Sequence, residues 1–187
     1  MAYDALAESL RLIETGTLAP RASLSRSCRH LAMAVDVAGN YAVTMFARRS
    51  VGRTVIDSWV LARRDGSWSM ICGETGSNAA EHRLQYRPAR LDVGLPPELG
   101  LSSHIATSHT GMARDTGVRS VFRPTGRWVY FTSVKVSAEV ATVSISGRQV
   151  IVPWHGEVPF VWTGRRPQIE ARAEDGTLLG QDRPCAP

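Results

Sequence analysis

The sequence predicts a mainly β protein: an antiparallel β-sandwich preceded by a β-meander and by one short N-terminal helix. Three observations carry this. Apolar residues alternate with a period of two from Leu31 onward, the mark of strands with one buried face. Turn signals interrupt the runs at short intervals, at Gly39-Asn40, Asp65-Gly66, Gly147-Arg148 and Asp175-Gly176, as strand connections require. Good surface helix formers are scarce, with Lys135 the single lysine, while Val, Thr, Ser and Trp are plentiful, which favours pleated sheet.

The helix is expected over residues 4 to 15. Leu6, Leu10 and Ile13 fall at i, i+4 and i+7, Asp4 is placed to cap the start, and Gly16 to end it,. Gly16 to Arg29 reads as an extended polar arm containing Pro20 and several Ser and Arg. Leu31, Met33, Val35 and Val37 then alternate with smaller or polar residues, and Tyr41, Val43 and Met45 resume the pattern. In the next run Val55, Asp57, Trp59 and Leu61 share a face, and Trp68, Met70 and Cys72 follow the Asp65-Gly66 turn. Four strands on short turns make a meander.

Residues 73 to 117 lack a clear period and contain many Gly and Pro, with at most a short strand near Ala89 to Val93. They read as a long irregular excursion, the kind of segment in which function often sits. Strand signals return at Val118. Trp128, Tyr130 and Thr132 alternate with Val129, Phe131 and Ser133; further runs cover Val140 to Ile145, Gln149 to Val152, Val158 to Trp162, Gln168 to Ala173 and Thr177 to Leu179.

Spacings of about eight to twelve residues between strands suit a sandwich. The stretch from Glu139 to Gly180 resembles the second half of an immunoglobulin-like sandwich, with paired strands, a Gly before an aromatic-rich strand, and an apolar strand closed by Asp175-Gly176. The Cys…Trp…Cys spacing of antibody domains is missing, so the resemblance is one of architecture. The organisation expected is 1–29 as helix and arm, 30–117 as meander plus irregular region, and 118–187 as the sandwich-like part, the last two being either separate or one continuous domain.

Composition excludes several classes. No apolar stretch approaches the ~18 residues of a membrane span, and the first residues lack a basic start followed by an apolar run, so a cytoplasmic location is expected. Cys28, Cys72 and Cys185 show no C-x-x-C spacing, which argues against a disulfide framework or a zinc site. Gly73-Glu74-Thr75-Gly76 lacks the lysine of a phosphate-binding loop,. No cofactor is expected.

Arginine dominates the cations, chiefly a mark of codon usage, yet its distribution is uneven. Residues 16–64 hold eight arginines against Asp36 and Asp57, a net of +6. If the arm lies beside the turn at Arg48, Arg49 and Arg53, the two form one positive surface suited to polyanions. Exposed aromatics would complete a nucleic-acid surface, but Tyr41, Trp59 and Trp68 read more simply as core.

Two catalytic constellations can be written on paper. His104 and His109, with His155 or a carboxylate, are candidate metal ligands. Ser102 or Ser103 with His104 or His109 and Asp57 or Asp115 makes a triad in composition only, without a nucleophile elbow. Asp57, on an apolar face, is read as paired with an arginine or capping a backbone turn rather than as a general base. Trp154, Phe160 and Trp162, interrupted by Pro153 and Pro159, suggest an irregular edge carrying large apolar side chains. The reading is therefore a non-catalytic β-sandwich that binds another protein or itself through these aromatics. The alternatives are a small hydrolase or metal-dependent enzyme using residues 73–117, and a basic module contacting nucleic acid through residues 16–64.

Overall fold

A computed structural model describes residues 3–18, 24–51, 53–78, 86–91, 104–116 and 126–182. Among them the chain is mainly β, with antiparallel sheets and one short N-terminal helix. Helix α1 (Ala5–Thr15) starts at Asp4, whose carboxylate accepts the Ala7 N–H at 3.0 Å. It ends at Gly16, which adopts the left-handed φ of 62° and donates to the Leu12 carbonyl, an ending that glycine makes without strain. Its buried seam is Ser9 and Leu12, and Leu6 is exposed. The expected Leu6–Leu10–Ile13 stripe is thus rotated by one residue. The sheet face beneath is partly polar, and Ser9 Oγ and Thr44 Oγ1 meet there at 2.8 Å, both fully buried.

The meander forms as its alternation requires. Strands β1 (His30–Ala38), β2 (Tyr41–Ser50), β3 (Arg53–Arg64) and β4 (Ser67–Asn78) pair in sequence order as one antiparallel sheet. One face carries Thr44, Phe46, Arg48, Asp57 and Trp59 and lies toward α1; the other carries Met33, Met45, Ala47 and Ile56, which gather Leu24 of the arm into a small core. The arm is therefore anchored rather than wholly solvated; Pro20 lies outside the described residues.

Strands β5 (Ile105–Asp115), β6 (Arg127–Val136) and β9 (Glu157–Thr163) form a second sheet in the order β5-β6-β9. Strands β7 (Thr142–Ile145), β8 (Arg148–Ile151), β10 (Ile169–Arg172) and β11 (Leu178–Asp182) form a third, in the order β11-β10-β7-β8. The central part of the three-stranded sheet is covered on both sides. Its residues Val129, Phe131 and Val161 pack on Val43 and Val60 of the meander. The opposite parity, Val134, Val136, Val158 and Phe160, packs on Val143, Ile145, Ile169 and Ala171 of the third sheet. A strand covered on both faces loses its polar alternation, which is why Val158 to Trp162 reads as a nearly unbroken apolar run.

Residues 73 to 117 are not uniformly irregular. β4 continues to Asn78, and Ile105–Asp115 is an eleven-residue strand paired with β6 along its length. Residues 89–91 are not in a strand, and 92, 93 and Val118 lie outside the described residues. Two interior glycines explain the misreading. Gly73 pairs with Trp59, and Gly111 pairs with Phe131. A Cβ at Gly73 would stand 2.1 Å from the Trp59 ring, and one at Gly111 would stand 2.4 Å from that of Phe131. Each glycine is the bed on which an aromatic of the neighbouring strand lies flat.

Candidate functional site

The predicted site residues fall in several places. Arg48 donates from Nε to Asp57 Oδ2 at 2.7 Å, and Thr75 Oγ1 donates to Oδ1 at 2.9 Å. This ion pair raises the Arg48 pKa above its ordinary value, the bond to Asp57 being the main cause. Asp57 is buried, and a buried carboxylate persists only when so compensated. The N-terminal Tyr3 stacks on His30, with ring centroids 3.7 Å apart and planes within 4°. Burial, with the Asp57 charge behind it, pushes the Tyr3 hydroxyl up to about 12. Tyr3 Oη and Trp59 Nε1 are buried without a hydrogen-bond partner of ordinary geometry, although the indole N–H lies near enough to offset part of that rise. Burial, and then the Arg48 charge, lowers the pKa of His30.

The other histidines hold separate partners. His104 Nδ1 lies 3.0 Å from Ser137 Oγ, and His109 Nε2 meets the Glu74 carboxylate across β4 and β5. His155 Nε2 lies 3.0 Å from the Met33 carbonyl, and its Nδ1 accepts the Glu157 N–H at 3.1 Å. Nε2 therefore carries the proton of the neutral ring. Burial is the main cause of the lowered His155 pKa, with Arg87 adding to it and the Met33 bond opposing it. Among the described residues no group of three or more His, Cys, Asp or Glu side chains is arranged to hold a metal. Ser102 and Ser103 lie outside the described residues.

The aromatic candidates separate as well. Phe160 is fully buried between the second and third sheets and is core, so it cannot contact a partner. Trp154 is half-buried against Tyr86 and His155. Pro159 does sit on the edge strand β9, but that edge is not open as an irregular edge would be. The Val161 N–H, which points outward, donates to Asp36 Oδ2 at 2.9 Å, and Pro159, two residues earlier on the same side, has no N–H to offer. Both devices close an edge against strand addition.

Trp162 belongs to a different constellation, which the sequence left unassembled. Register aligns Met112, Tyr130 and Trp162 across β5, β6 and β9, and Arg114 opposite Trp128 one step further along. Tyr130 and Trp162 stack at 5.7 Å with planes 19° apart, and the Arg114 guanidinium lies 5.7 Å from the centre of the Trp128 ring. Met112 is 42% and Trp128 43% exposed, and Tyr130 and Trp162 are half-buried. All five residues lie on the face whose other end, Val134 and Phe160, is sealed by the third sheet. Arg127, Arg165 and Arg166 are exposed at neighbouring positions. Alternation of Trp128 and Tyr130 against Val129 and Phe131 is legible in the sequence. Which face is left uncovered is not, because both are apolar.

An open cavity of about 290 Å³ lies between α1 and β1, lined by Glu8, Arg11, Leu12, Thr15, Thr17 and Ala32. Its two charged groups, Glu8 and Arg11, pair with each other at 3.5 Å. Compared with known protein families, with curated proteins and with solved structures, the chain matches none.

Proposed function

We propose that this chain is a non-catalytic binding module whose ledge of Met112, Trp128, Tyr130 and Trp162 docks an acidic, partly apolar segment of another protein. The observation that carries the reading is the half-exposed aromatic row, held in register on a sheet whose core side chains are buried. Rigid aromatics lose little conformational freedom on contact and recur as interface anchors. Arg114, Arg127, Arg165 and Arg166 at the same end favour an acidic partner. The finer architecture belongs to this proposal too: the second and third sheets, sharing the Val134–Phe160–Ile169 core, are an immunoglobulin-like sandwich that presents the ledge.

The test uses peptides that intersperse Asp and Glu with Leu and Phe, set against basic and scrambled versions and followed by tryptophan fluorescence. Acidic peptides should bind, and Trp128→Ala should weaken binding by at least about 1–2 kcal/mol with an unchanged melt. Equal binding of acidic and basic peptides refutes the charge argument. Concentration-dependent dimerisation that Trp128→Ala abolishes would assign the ledge to a second copy instead and overturn the acidic-partner reading.

A further inference from the structure

The β2–β3 hairpin end carries a second surface, distinct from the aromatic ledge. The Arg49 N–H donates to the Arg29 carbonyl at 2.9 Å, and Arg29 Nε reaches the Arg26 carbonyl at 3.3 Å. This backbone contact extends the β1–β2 pairing one step beyond His30 and Arg48, so Arg29 and Arg49 stand opposite each other. Like charges in that relation are destabilising. The arm thus does lie beside the turn, and Arg26, Arg29, Arg49 and Arg53 all lie at this hairpin end, Arg29 and Arg49 on one face and Arg53, paired with Ser50, on the other; Arg26, Arg29 and Arg53 are exposed. Arg48 takes no part, because its guanidinium is committed to Asp57. At the apex between the paired Ser50 and Arg53 stands Val51, 98% exposed.

We infer that this end docks on an anionic lipid surface, Val51 entering the headgroup layer while Arg26, Arg29, Arg49 and Arg53 meet lipid phosphates. Opposed arginines serve no packing purpose; a surface that neutralises them removes the repulsion and adds attraction. An apolar side chain at the tip of a basic hairpin suits the headgroup boundary. A nucleic-acid strand would use the same charges but has no need of an apolar apex. It would call instead on exposed aromatic platforms, and the rings among the described residues at this end, Tyr3 and His30, are half-buried against each other.

The experiment is co-sedimentation of the full chain with phosphatidylcholine vesicles, with and without phosphatidylserine. The expected result is pelleting with the anionic vesicles alone, lost as salt rises. Arg49→Gln together with Arg53→Gln should lower partitioning about 25-fold, roughly fivefold for each charge. Val51→Ser, at a position open to solvent, should lower it about three- to tenfold and leave the melting temperature unchanged. Absence of pelleting at low salt overturns the inference, as does equal pelleting with neutral vesicles. An unaffected Val51→Ser, with full displacement by an oligonucleotide, also overturns it and makes the surface a phosphate contact for nucleic acid.

Discussion

Asp36 is where the three sheets are tied together, so its removal is the most informative perturbation. Its carboxylate accepts the Val161 N–H of β9 at 2.9 Å in a buried bond. It also accepts both terminal nitrogens of Arg148 at the start of β8, Nη2 to Oδ2 at 3.0 Å, while Nη1 also donates to the Val37 carbonyl at 3.3 Å. Asp36→Ala leaves the Val161 N–H buried without an acceptor, a cost of ~1–3 kcal/mol. Two charge-assisted bonds from Arg148 are lost as well, but that side chain is 34% exposed, so water recovers part of their worth. The sum is about 2–4 kcal/mol, and with a urea slope of about 2 kcal/mol/M the unfolding midpoint should fall by about 1–2 M. Arg148→Ala should cost a comparable amount, because it leaves the Asp36 charge buried with a single backbone donor. Since both single variants break the same pair, the double variant should cost clearly less than their sum. Strict additivity, or an unchanged midpoint for Asp36→Ala, would refute the clasp.

Gly111→Ala places a Cβ 2.4 Å from the buried Phe131 ring and 2.9 Å from Glu74 Oε1. It should destabilise by ~1–3 kcal/mol in thermal melts, whereas Gly76→Ala, whose nearest neighbour is the Ile56 carbonyl oxygen at 3.9 Å, should be close to neutral. His155 is held neutral in the fold, so below its ordinary value of 6.5 the unfolded chain takes up a proton that the folded chain refuses. Stability should therefore fall as pH drops from 6.5 toward the lowered folded value. His155→Gln should flatten that slope in denaturant titrations across the window, leaving the share that His30 contributes in the same direction. An unchanged slope would remove His155 from the account.

The meander was legible because a single period of two runs through Leu31 to Met45 and again through Val55 to Leu61, with turn residues where the chain reverses. The helix was legible from its caps, Asp4 and Gly16, but its rotation was not. Ser9 is buried because Thr44 waits beneath it, a fact of tertiary structure that no local pattern encodes. β5 was missed for a related reason. Its sequence, IATSHTGMARD, has few large apolar residues, its register shifts between Thr107 and His109, and its central glycine reads as a breaker until Phe131 covers it. Phe160 and Trp162 look alike in sequence, two residues apart on one face. They separate because Phe160 lies wholly inside the core shared with the third sheet, whereas Trp162 packs at its margin and stays half-buried.

The reach of the third sheet follows from strand length. β7, β8 and β10 have four residues each, against ten in β6. At about 3.3 Å per residue, the covering strands span about 13 Å and the covered strand about 33 Å. The third sheet can therefore seal only part of β6, and it seals the part where Thr132 and Val134 are fully buried. The remainder of the face begins at Tyr130. In a region selected for stability alone, a segment left open to water would be polar at Met112 and Trp128, because a large apolar surface kept in water forgoes part of the ~1.5–3 kcal/mol of full burial. Trp162 and Tyr130 recover part of that burial, stacked on each other with Trp162 against the core, but Met112 and Trp128, the latter under Arg114, stay exposed. Folding by itself gives no reason to keep Met112 and Trp128 exposed on one face beyond the reach of the short strands, and a partner that covers them does.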